Sequence, residues 1–251
     1  MDTIKLLIFK LSVICFILFS ILFFNACKKE ETTKRQETDS IIIEGKVYKT
    51  VKIGSQWWTT ENLNVKTYRN GDSIKYIGKN GTYDPIRDST QWNNINSGAY
   101  CNGQYGYLYN GYAITNSHNI APVGWHIPSD DEWKQLEKYL GMSQTEADKV
   151  NWRGTKEGDK LKASNTIKFW PSPSPYEIWP NNESGFTALP GRCIMFYGMN
   201  SDDNDKYIGF WWSSTLQGNQ MWYRYLSNSK SGIFRYYGSM TYGFSIRCVK
   251  D

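Results

Sequence analysis

The sequence predicts an α+β domain of short antiparallel strands, one or two helices and long loops. The clearest observation is a series of four aromatic and β-branched segments near the C-terminus, at residues 209–215, 221–226, 233–237 and 243–249. Such residues fit a pleated, half-buried surface, so each segment predicts a strand. An amphipathic segment at 130–140 predicts a helix that can cover one face of a sheet. With 16% aromatic residues and 21 glycines, the composition is typical of many short strands and turns.

The first 26 residues predict a secretory signal. Two lysines precede an uncharged apolar run at 11–24. Fourteen residues at about 1.5 Å each cannot span a hydrocarbon core about 30 Å thick, whereas the h-region of a signal peptide has this length. The run ends at FNAC, residues 24–27, which resembles a bacterial lipobox. Cys27 is therefore the expected lipidation site, and a retained N-terminal anchor helix is the alternative.

Residues 27–40 are polar, mixed in charge and without apolar periodicity, which predicts a disordered tether before a single domain at 41–251. The segment KKEE at 28–31 resembles the short acidic export signal of Bacteroidota lipoproteins. We therefore expect an outer-membrane lipoprotein on the cell surface, with a periplasm-facing one as the alternative. The net charge of +5 comes without a basic run, so nucleic acid is not an expected partner.

The domain opens with strand and turn signals. Residues 41–43 and 47–53 flank Glu44-Gly45, which predicts a hairpin, and 56–59 predicts a third strand. Polar, turn-rich residues at 78–96 predict a long loop. The tyrosine- and glycine-rich stretch at 98–110 predicts irregular structure packed under the helix.

Two helices carry N-terminal capping signals. Ser129 and Glu132 form a capping box at the start of the helix at 130–140. Its apolar stripe consists of Trp133, Leu136 and Leu140. A second, weaker helix is predicted at 144–151.

An aromatic loop follows at 169–180, where four prolines exclude a central strand. It carries Trp170, Tyr176 and Trp179, which are candidate ligand-binding residues because amphipathic rings stack on sugars and on partner proteins. Burial as cover for the core is the alternative interpretation of these rings.

Three cysteines remain after the signal and the lipidation site: Cys101, Cys193 and Cys248. In an oxidising compartment two of the three are expected to pair, and the sequence leaves the choice open. The pair Cys101–Cys248 is favoured, because a bond at Cys248 would hold the end of the chain. Cys193 is then a buried, unlinked thiol.

Few residues suit a metal centre. The chain has two histidines, His118 and His126, so a multi-histidine site is not expected, and His126 has a structural place before the helix cap. Asp202, Asp203 and Asp205 supply oxygen atoms for a weak calcium site. Their spacing matches no EF-hand, and a solvated turn is the simpler interpretation. No other cofactor is expected.

Eight motifs occur in a fixed order along the domain. They are YKTVKIG at 48–54, ENLN at 61–64, GAYC at 98–101, APVGWHIPS at 121–129, NESGFTALPG at 182–191, WWSST at 211–215, WYR at 222–224 and GFSIRCV at 243–249. Together they resemble the Fibrobacter succinogenes major paralogous domain over about 45–251. This resemblance implies an exported, often lipid-anchored protein without an established biochemical activity.

The resemblance also implies a C-type-lectin-like fold, in which the chain ends lie on neighbouring strands. That arrangement is consistent with a Cys101–Cys248 bond. Cys193 departs from the family pattern. The expected function is a non-catalytic binding module for a glycan or a protein, with a structural cell-envelope role as the alternative. An enzyme on a formylglycine-generating-enzyme-like fold is the least favoured alternative, because that chemistry uses a pair of cysteines and no second reactive cysteine is evident.

Overall fold

A computed structural model of the chain describes residues 36–78, 91–92, 94–164, 169–171, 180–195 and 207–251. These residues belong to one compact unit that runs from Gln36 to Asp251. The strands are β1 (Thr38–Ile43), β2 (Lys46–Ile53), β3 (Gln56–Thr59), β4 (Lys75–Tyr76), β5 (Ala99–Gly103), β6 (Gly106–Asn110), β7 (Trp125–His126), β8 (Asn151–Arg153), β9 (Ile208–Gln217), β10 (Gln220–Ser227), β11 (Ile233–Ser239), β12 (Gly243–Phe244) and β13 (Val249–Lys250). The helices are α1 (Gly111–Ile114), α2 (Asp130–Tyr139), α3 (Gln144–Asp148) and α4 (Glu157–Leu161).

The strands form three sheets, and nearly all neighbours are antiparallel. The first sheet has the order β1-β2-β3-β13-β7, so the last strand joins the sheet that the first strands build. The second has the order β8-β11-β10-β9 and the third β12-β6-β5-β4. Only β4 and β5 run parallel among the pairs of the described strands. The predicted α+β class, with antiparallel sheets and few short helices, is confirmed.

The first hairpin follows the prediction but starts earlier. Glu44 and Gly45 turn between β1 and β2 with φ angles of 46° and 77°. Strand β1 begins at Thr38, inside the segment predicted as a tether, because the polar residues from Thr38 to Ser40 pair through the backbone with β2. Backbone pairing of polar, exposed residues leaves no apolar pattern in the sequence.

Helix α2 forms as predicted. Ser129 Oγ accepts a hydrogen bond from the Glu132 amide, and Glu132 Oε2 accepts one from the Ser129 amide at 2.8 Å. Trp133 and Leu136 are buried on the inner face of the helix. Helix α3 is shorter than predicted and ends at Asp148, because the chain enters β8 three residues later.

The stretch at 98–110 is a regular hairpin, so the prediction of irregular structure is wrong. Strands β5 and β6 pair from Tyr100–Tyr109 to Gly103–Gly106 across a two-residue turn. Gly106 has a φ of 107°, a conformation that residues with a side chain rarely adopt. Tyr100, Tyr107 and Tyr109 pack together on one face of this hairpin, and Cys101 and Leu108 lie on the other. Both faces therefore carry apolar groups, so the sequence shows no alternation of apolar and polar residues.

The predicted disulfide is also wrong: no disulfide joins Cys101, Cys193 and Cys248. Cys101 is buried in a small apolar cluster with Trp92 and Leu108. Cys248 is buried in the main core. The two thiols therefore belong to different apolar clusters of the domain. Cys193 is half-buried against the main core.

A buried group of charges fastens α2 to the second sheet. Arg224 in β10 and Arg235 in β11 face each other across the ladder, where two like charges repel. Asp130 separates them, with its Oδ1 2.7 Å from Arg224 Nη1 and its Oδ2 2.7 Å from Arg235 Nη2. Burial opposes ionisation of Asp130, but the two arginines outweigh it and hold its pKa well below the usual range.

Glu137 extends this group one helical turn further along α2. Its carboxylate lies 2.6 Å from Arg224 Nε and 2.7 Å from Arg153 Nη1. The side chains of Glu137 and Arg153 are fully buried. Each of the buried charges Asp130, Glu137, Arg153, Arg224 and Arg235 therefore has an opposite partner at hydrogen-bond distance.

Candidate functional site

An open cleft of about 730 Å³ lies beside the turn of the β5–β6 hairpin. The start of β2 and the segment after β3 form one wall, and the hairpin forms the other. Its polar and aromatic lining residues are Lys46, Glu61, Asn62, Asn64, Asn102, Gln104, Tyr105, Tyr107 and Arg192. The volume falls in the range of ordinary small-ligand sites, although the lining is more polar than usual for them.

The floor of the cleft is set by Asn62, which is buried. Its Oδ1 accepts hydrogen bonds from Arg247 Nε at 2.7 Å and from Trp211 Nε1 at 2.9 Å. Its Nδ2 donates to the carbonyl oxygen of Tyr105 at 2.8 Å and to Ser245 Oγ at 3.1 Å. Asn62 therefore joins the hairpin turn to the C-terminal segment, and its amide is fully engaged below the cleft.

Arg247 is held almost entirely by neutral oxygens. Nη1 donates to the carbonyls of Thr59 at 2.8 Å and Phe186 at 2.9 Å, and the guanidinium lies 4.5 Å from the centre of the Phe186 ring. Burial lowers the pKa of Arg247 to about 9, so the group stays protonated at neutral pH. A cation in this position joins the segments at 59–62 and 186–187 to the C-terminal segment.

The hairpin turn places two tyrosine rings at the cleft. Tyr105 packs edge-on against Phe169 with 5.7 Å between ring centres, and Tyr107 lies 4.6 Å from Tyr100. Both cleft tyrosines are half-buried. Burial raises the pKa of Tyr105, so its hydroxyl remains a hydrogen-bond donor at neutral pH. The rings therefore present fixed apolar faces that end in polar groups.

Amide side chains and one ion pair complete the lining. Asn102 Nδ2 donates to Tyr76 OH at 3.1 Å, and Gln104 Nε2 donates to Tyr105 OH at 3.2 Å. At the opposite rim, Lys46 Nζ lies 2.8 Å from Glu61 Oε2, and both side chains are well exposed. Amides donate and accept hydrogen bonds at once, so this wall can bind neutral groups that do the same.

The structure corrects the prediction for Trp170. Its indole is 1% exposed and donates through Nε1 to the Ala188 carbonyl at 2.8 Å. A ring in that position covers the core and cannot stack on a ligand. The other predicted ligand residues, Tyr176 and Trp179, lie outside the described residues.

Two further predictions concern residues that the structure does not describe. The lipidation site Cys27 and the weak calcium candidates Asp202, Asp203 and Asp205 lie outside the described ranges. Within those ranges, no group of three or more histidine, cysteine, aspartate or glutamate side chains is arranged to hold a metal ion. None of the described helices has both the length and the apolar character needed to cross a membrane.

His126 has the structural surroundings that the sequence predicts. Its Nε2 lies 2.7 Å from Glu132 Oε1 and its Nδ1 2.7 Å from Asp251 Oδ1. Burial lowers the pKa of His126, but the hydrogen bonds to Asp251 and Glu132 raise it more, and the net shift is upward. The imidazole thus connects the start of α2 to the last residue of the chain.

Sequence reasoning missed the cleft itself. Asn64 follows β3 in an irregular segment, Asn102 lies in β5, and Gln104 lies in the hairpin turn, where amides are common for local reasons. Tyr105 and Tyr107 occurred in a stretch predicted to be irregular. The one available signal was the dense tyrosine and amide content of 98–110, but proximity to 61–64 required the three-dimensional pairing.

A family model described as the Fibrobacter succinogenes major domain matches residues 51–250. The matched region contains the helix α2, the second and third sheets and most of the cleft. Comparison with curated proteins and with solved structures gave no match.

Proposed function

We propose that this chain, which belongs to the Fibrobacter succinogenes major domain family, is an exported, lipid-anchored binding module whose ligand is a glycan. The site is the cleft beside the β5–β6 hairpin. The single observation that carries this proposal is the combination of amide side chains and two tyrosine rings in one open cleft.

The lining suits carbohydrate chemistry. Each sugar hydroxyl both donates and accepts hydrogen bonds, as do the amides of Asn64, Asn102 and Gln104. The apolar C–H face of a sugar ring packs on aromatic faces such as those of Tyr105 and Tyr107. A protein ligand would instead be expected to bind through a desolvated apolar or aromatic anchor pocket, which this polar lining favours less.

The module is proposed to be non-catalytic. Among the described lining residues, Glu61 is the one carboxylate, and Lys46 already pairs with it at 2.8 Å. Glycoside hydrolysis generally needs two carboxyl groups on opposite sides of the scissile bond. A single, paired and exposed carboxylate does not supply that arrangement.

The proposed fold is C-type-lectin-like. The resemblance of the motifs supports it, as do two features of the domain. The last strand, β13, pairs with β3 in the N-terminal sheet, so the two ends of the domain meet. Helix α2 packs between that sheet and the second one, through Trp133 and Leu136.

The proposed location is the outer membrane, with the domain on the cell surface. Support comes from the sequence: the apolar run at 11–24, the lipobox-like FNAC at 24–27 and the segment KKEE at 28–31. A periplasm-facing lipoprotein is the alternative, and both place the domain where polysaccharides are abundant. No cofactor is proposed, and calcium is tested below.

The proposal is tested by binding the lipidated chain, solubilised in detergent, to an array of bacterial and plant polysaccharides with and without EDTA. We expect saturable binding that falls at least about tenfold in Tyr105→Ala and in Asn64→Ala, which equals about 1.4 kcal/mol. Tyr139→Ala is the matched control, because Tyr139 is an exposed tyrosine on α2, away from the cleft.

Binding that survives both cleft substitutions would place the glycan elsewhere on the domain. Loss of binding with EDTA would identify a required cation. An array without hits would contradict the glycan ligand and favour a structural envelope protein or a protein-binding module.

A further inference from the structure

The cleft beside the β5–β6 hairpin carries a positive charge. Among its described lining residues, Lys46 and Arg192 are the cations and Glu61 is the one carboxylate. Lys46 Nζ lies 2.8 Å from Glu61 Oε2, so the charges of these two side chains largely cancel. Arg192 therefore sets the sign of the net charge on the lining.

A further positive charge lies beneath the floor of the cleft. Arg247 is fully buried, and its Nε donates to Oδ1 of Asn62, which forms that floor. Its other hydrogen bonds go to the carbonyl oxygens of Thr59, Phe186 and Thr187, which are neutral. Water screens a buried charge much less than an exposed one, and a cleft with low-dielectric walls concentrates the field on its ligand. The field of Arg247 therefore favours a negative group in the cleft.

The backbone of Arg192 is held in a costly conformation. Its φ is 62°, in the left-handed region that an arginine seldom adopts. The Arg192 amide donates to the Ile208 carbonyl at 3.0 Å. Just before it, the Gly191 amide donates to the carbonyl of Leu189, another residue of the cleft lining, at 2.8 Å. Such conformations persist where the surroundings enforce them, and they cluster at ligand-binding sites. This turn fixes Arg192 as part of the cleft wall.

We propose that the glycan is acidic, a polyuronate whose sugar carboxylate binds the guanidinium of Arg192. This inference rests on the proposed function, because it names the class of glycan for the same cleft. The planar guanidinium matches a carboxylate through two parallel hydrogen bonds, a geometry that neutral sugar hydroxyls do not offer. Arg247 attracts the same charge from beneath the floor without touching the ligand. The amides and tyrosine rings then bind the hydroxyls and the ring face of the sugar.

Two matched pairs of polysaccharides test the role of charge. Polygalacturonate and its methyl ester share one backbone, as do alginate and its propylene-glycol ester, and each ester lacks the carboxylate charge. Dissociation constants are measured with the lipidated full chain in detergent, in the presence of EDTA so that calcium cannot bridge the carboxylates. We expect one of the two acids to bind at least about tenfold more tightly than its ester, as a charge-assisted hydrogen bond predicts. This preference should decrease as sodium chloride is added.

Two substitutions should change the affinity for the preferred acid in opposite directions. Arg192→Gln should weaken it at least about tenfold and leave the affinity for the ester within about twofold, whereas Arg192→Lys should retain part of the preference. Glu61→Gln removes the one described carboxylate of the lining, so it should strengthen binding of the acid by about threefold. Glu61 is on the exposed rim, so this variant tests the charge even if Arg192→Gln does not fold. Lys138→Gln, at an exposed lysine of α2 outside the cleft, is the matched control for loss of a positive charge.

The outcomes separate this inference from the proposed function. Equal affinity for acid and ester would overturn the acidic ligand and leave a glycan-binding cleft. Binding of neither acid, together with array hits among neutral glycans, would do the same, whereas a blank array would overturn both. Poly-L-glutamate that binds as tightly as the preferred acid, with no effect of Tyr105→Ala on either, would show attraction to charge without sugar recognition and would also overturn both. Weaker binding of the acid by Glu61→Gln would contradict the role of charge.

Discussion

The buried guanidinium of Arg247 donates a hydrogen bond through Nε to the side-chain oxygen of Asn62, at 2.7 Å. Asn62 belongs to ENLN at 61–64 and Arg247 to GFSIRCV at 243–249, two of the motifs that mark the family. A third motif contributes Trp211, which donates to the same oxygen. Residues of three motifs therefore build the floor of the cleft, and ENLN also supplies Glu61 and Asn64 to one wall, while the opposite wall comes from the less distinctive β5–β6 hairpin.

Replacing Asn62 with alanine is expected to destabilise the domain by about 3–5 kcal/mol, because it removes the acceptor of two buried donors and one of them is charged. The free energy of unfolding from urea titration measures this loss, provided that the slope against urea stays unchanged. Asn64→Ala is the matched control. Asn64 is half-buried on the rim, and its hydrogen bond to Tyr48 OH is donated by the backbone amide, which alanine keeps. A loss below about 1 kcal/mol at Asn62 would contradict the floor assignment.

Replacing Glu137 with glutamine is expected to remove about 3–5 kcal/mol, because it leaves the buried Arg153 and Arg224 without one of their negative partners. The side chain keeps its shape, so the loss measures charge rather than volume. Asp131→Asn on the same helix is the control, since Asp131 is 91% exposed and its contact with Lys134 is screened. Equal effects of the two substitutions on the unfolding free energy would show that the buried charges do not hold α2 to the sheet.

Thiol labelling of the native and the unfolded protein tests the absence of a disulfide. All three of Cys101, Cys193 and Cys248 are expected to react in denaturant without a reductant, because no bond joins them. In the native protein Cys193 should react first, since it is half-buried, whereas burial raises the pKa of Cys101 and of Cys248 to about 12 and suppresses their thiolates. A Cys101–Cys248 linked peptide in a non-reduced digest would contradict this prediction.

The sequence predicted those parts of the fold that local signals encode. The capping box at Ser129, the apolar stripe of α2 and the C-terminal strands each follow from residues a few positions apart. The hairpin at 99–110 escaped prediction because both of its faces carry apolar side chains, with tyrosines on one face and Cys101 and Leu108 on the other. Element type was thus readable in α2 from its apolar stripe, and in β9 and β10, which are largely buried on both faces, from their aromatic and β-branched residues.

The cleft and the disulfide fall outside such reasoning for a different reason. Asn64 meets the β5–β6 hairpin only because Asn62 bonds to the Tyr105 carbonyl, a contact between residues 43 positions apart. The expected Cys101–Cys248 bond assumed that two cysteines in one domain would be neighbours, yet they lie in separate apolar clusters. Long-range pairing of this kind leaves no trace in a single sequence.

The pH dependence of stability tests the contacts of His126 with Glu132 and Asp251. The folded state raises the pKa of His126 above its ordinary value of 6.5, so the stabilisation is complete below that value and is lost as the pH rises through the folded pKa. Melting temperatures of the wild type and His126→Gln should therefore differ most at about pH 5.5 and converge at about pH 8.5. His118→Gln is the control, because the pair of His118 with Asp72 is well exposed and adds little. A difference between wild type and His126→Gln that stays constant, or grows, with rising pH would show that the two carboxylates do not stabilise the imidazolium.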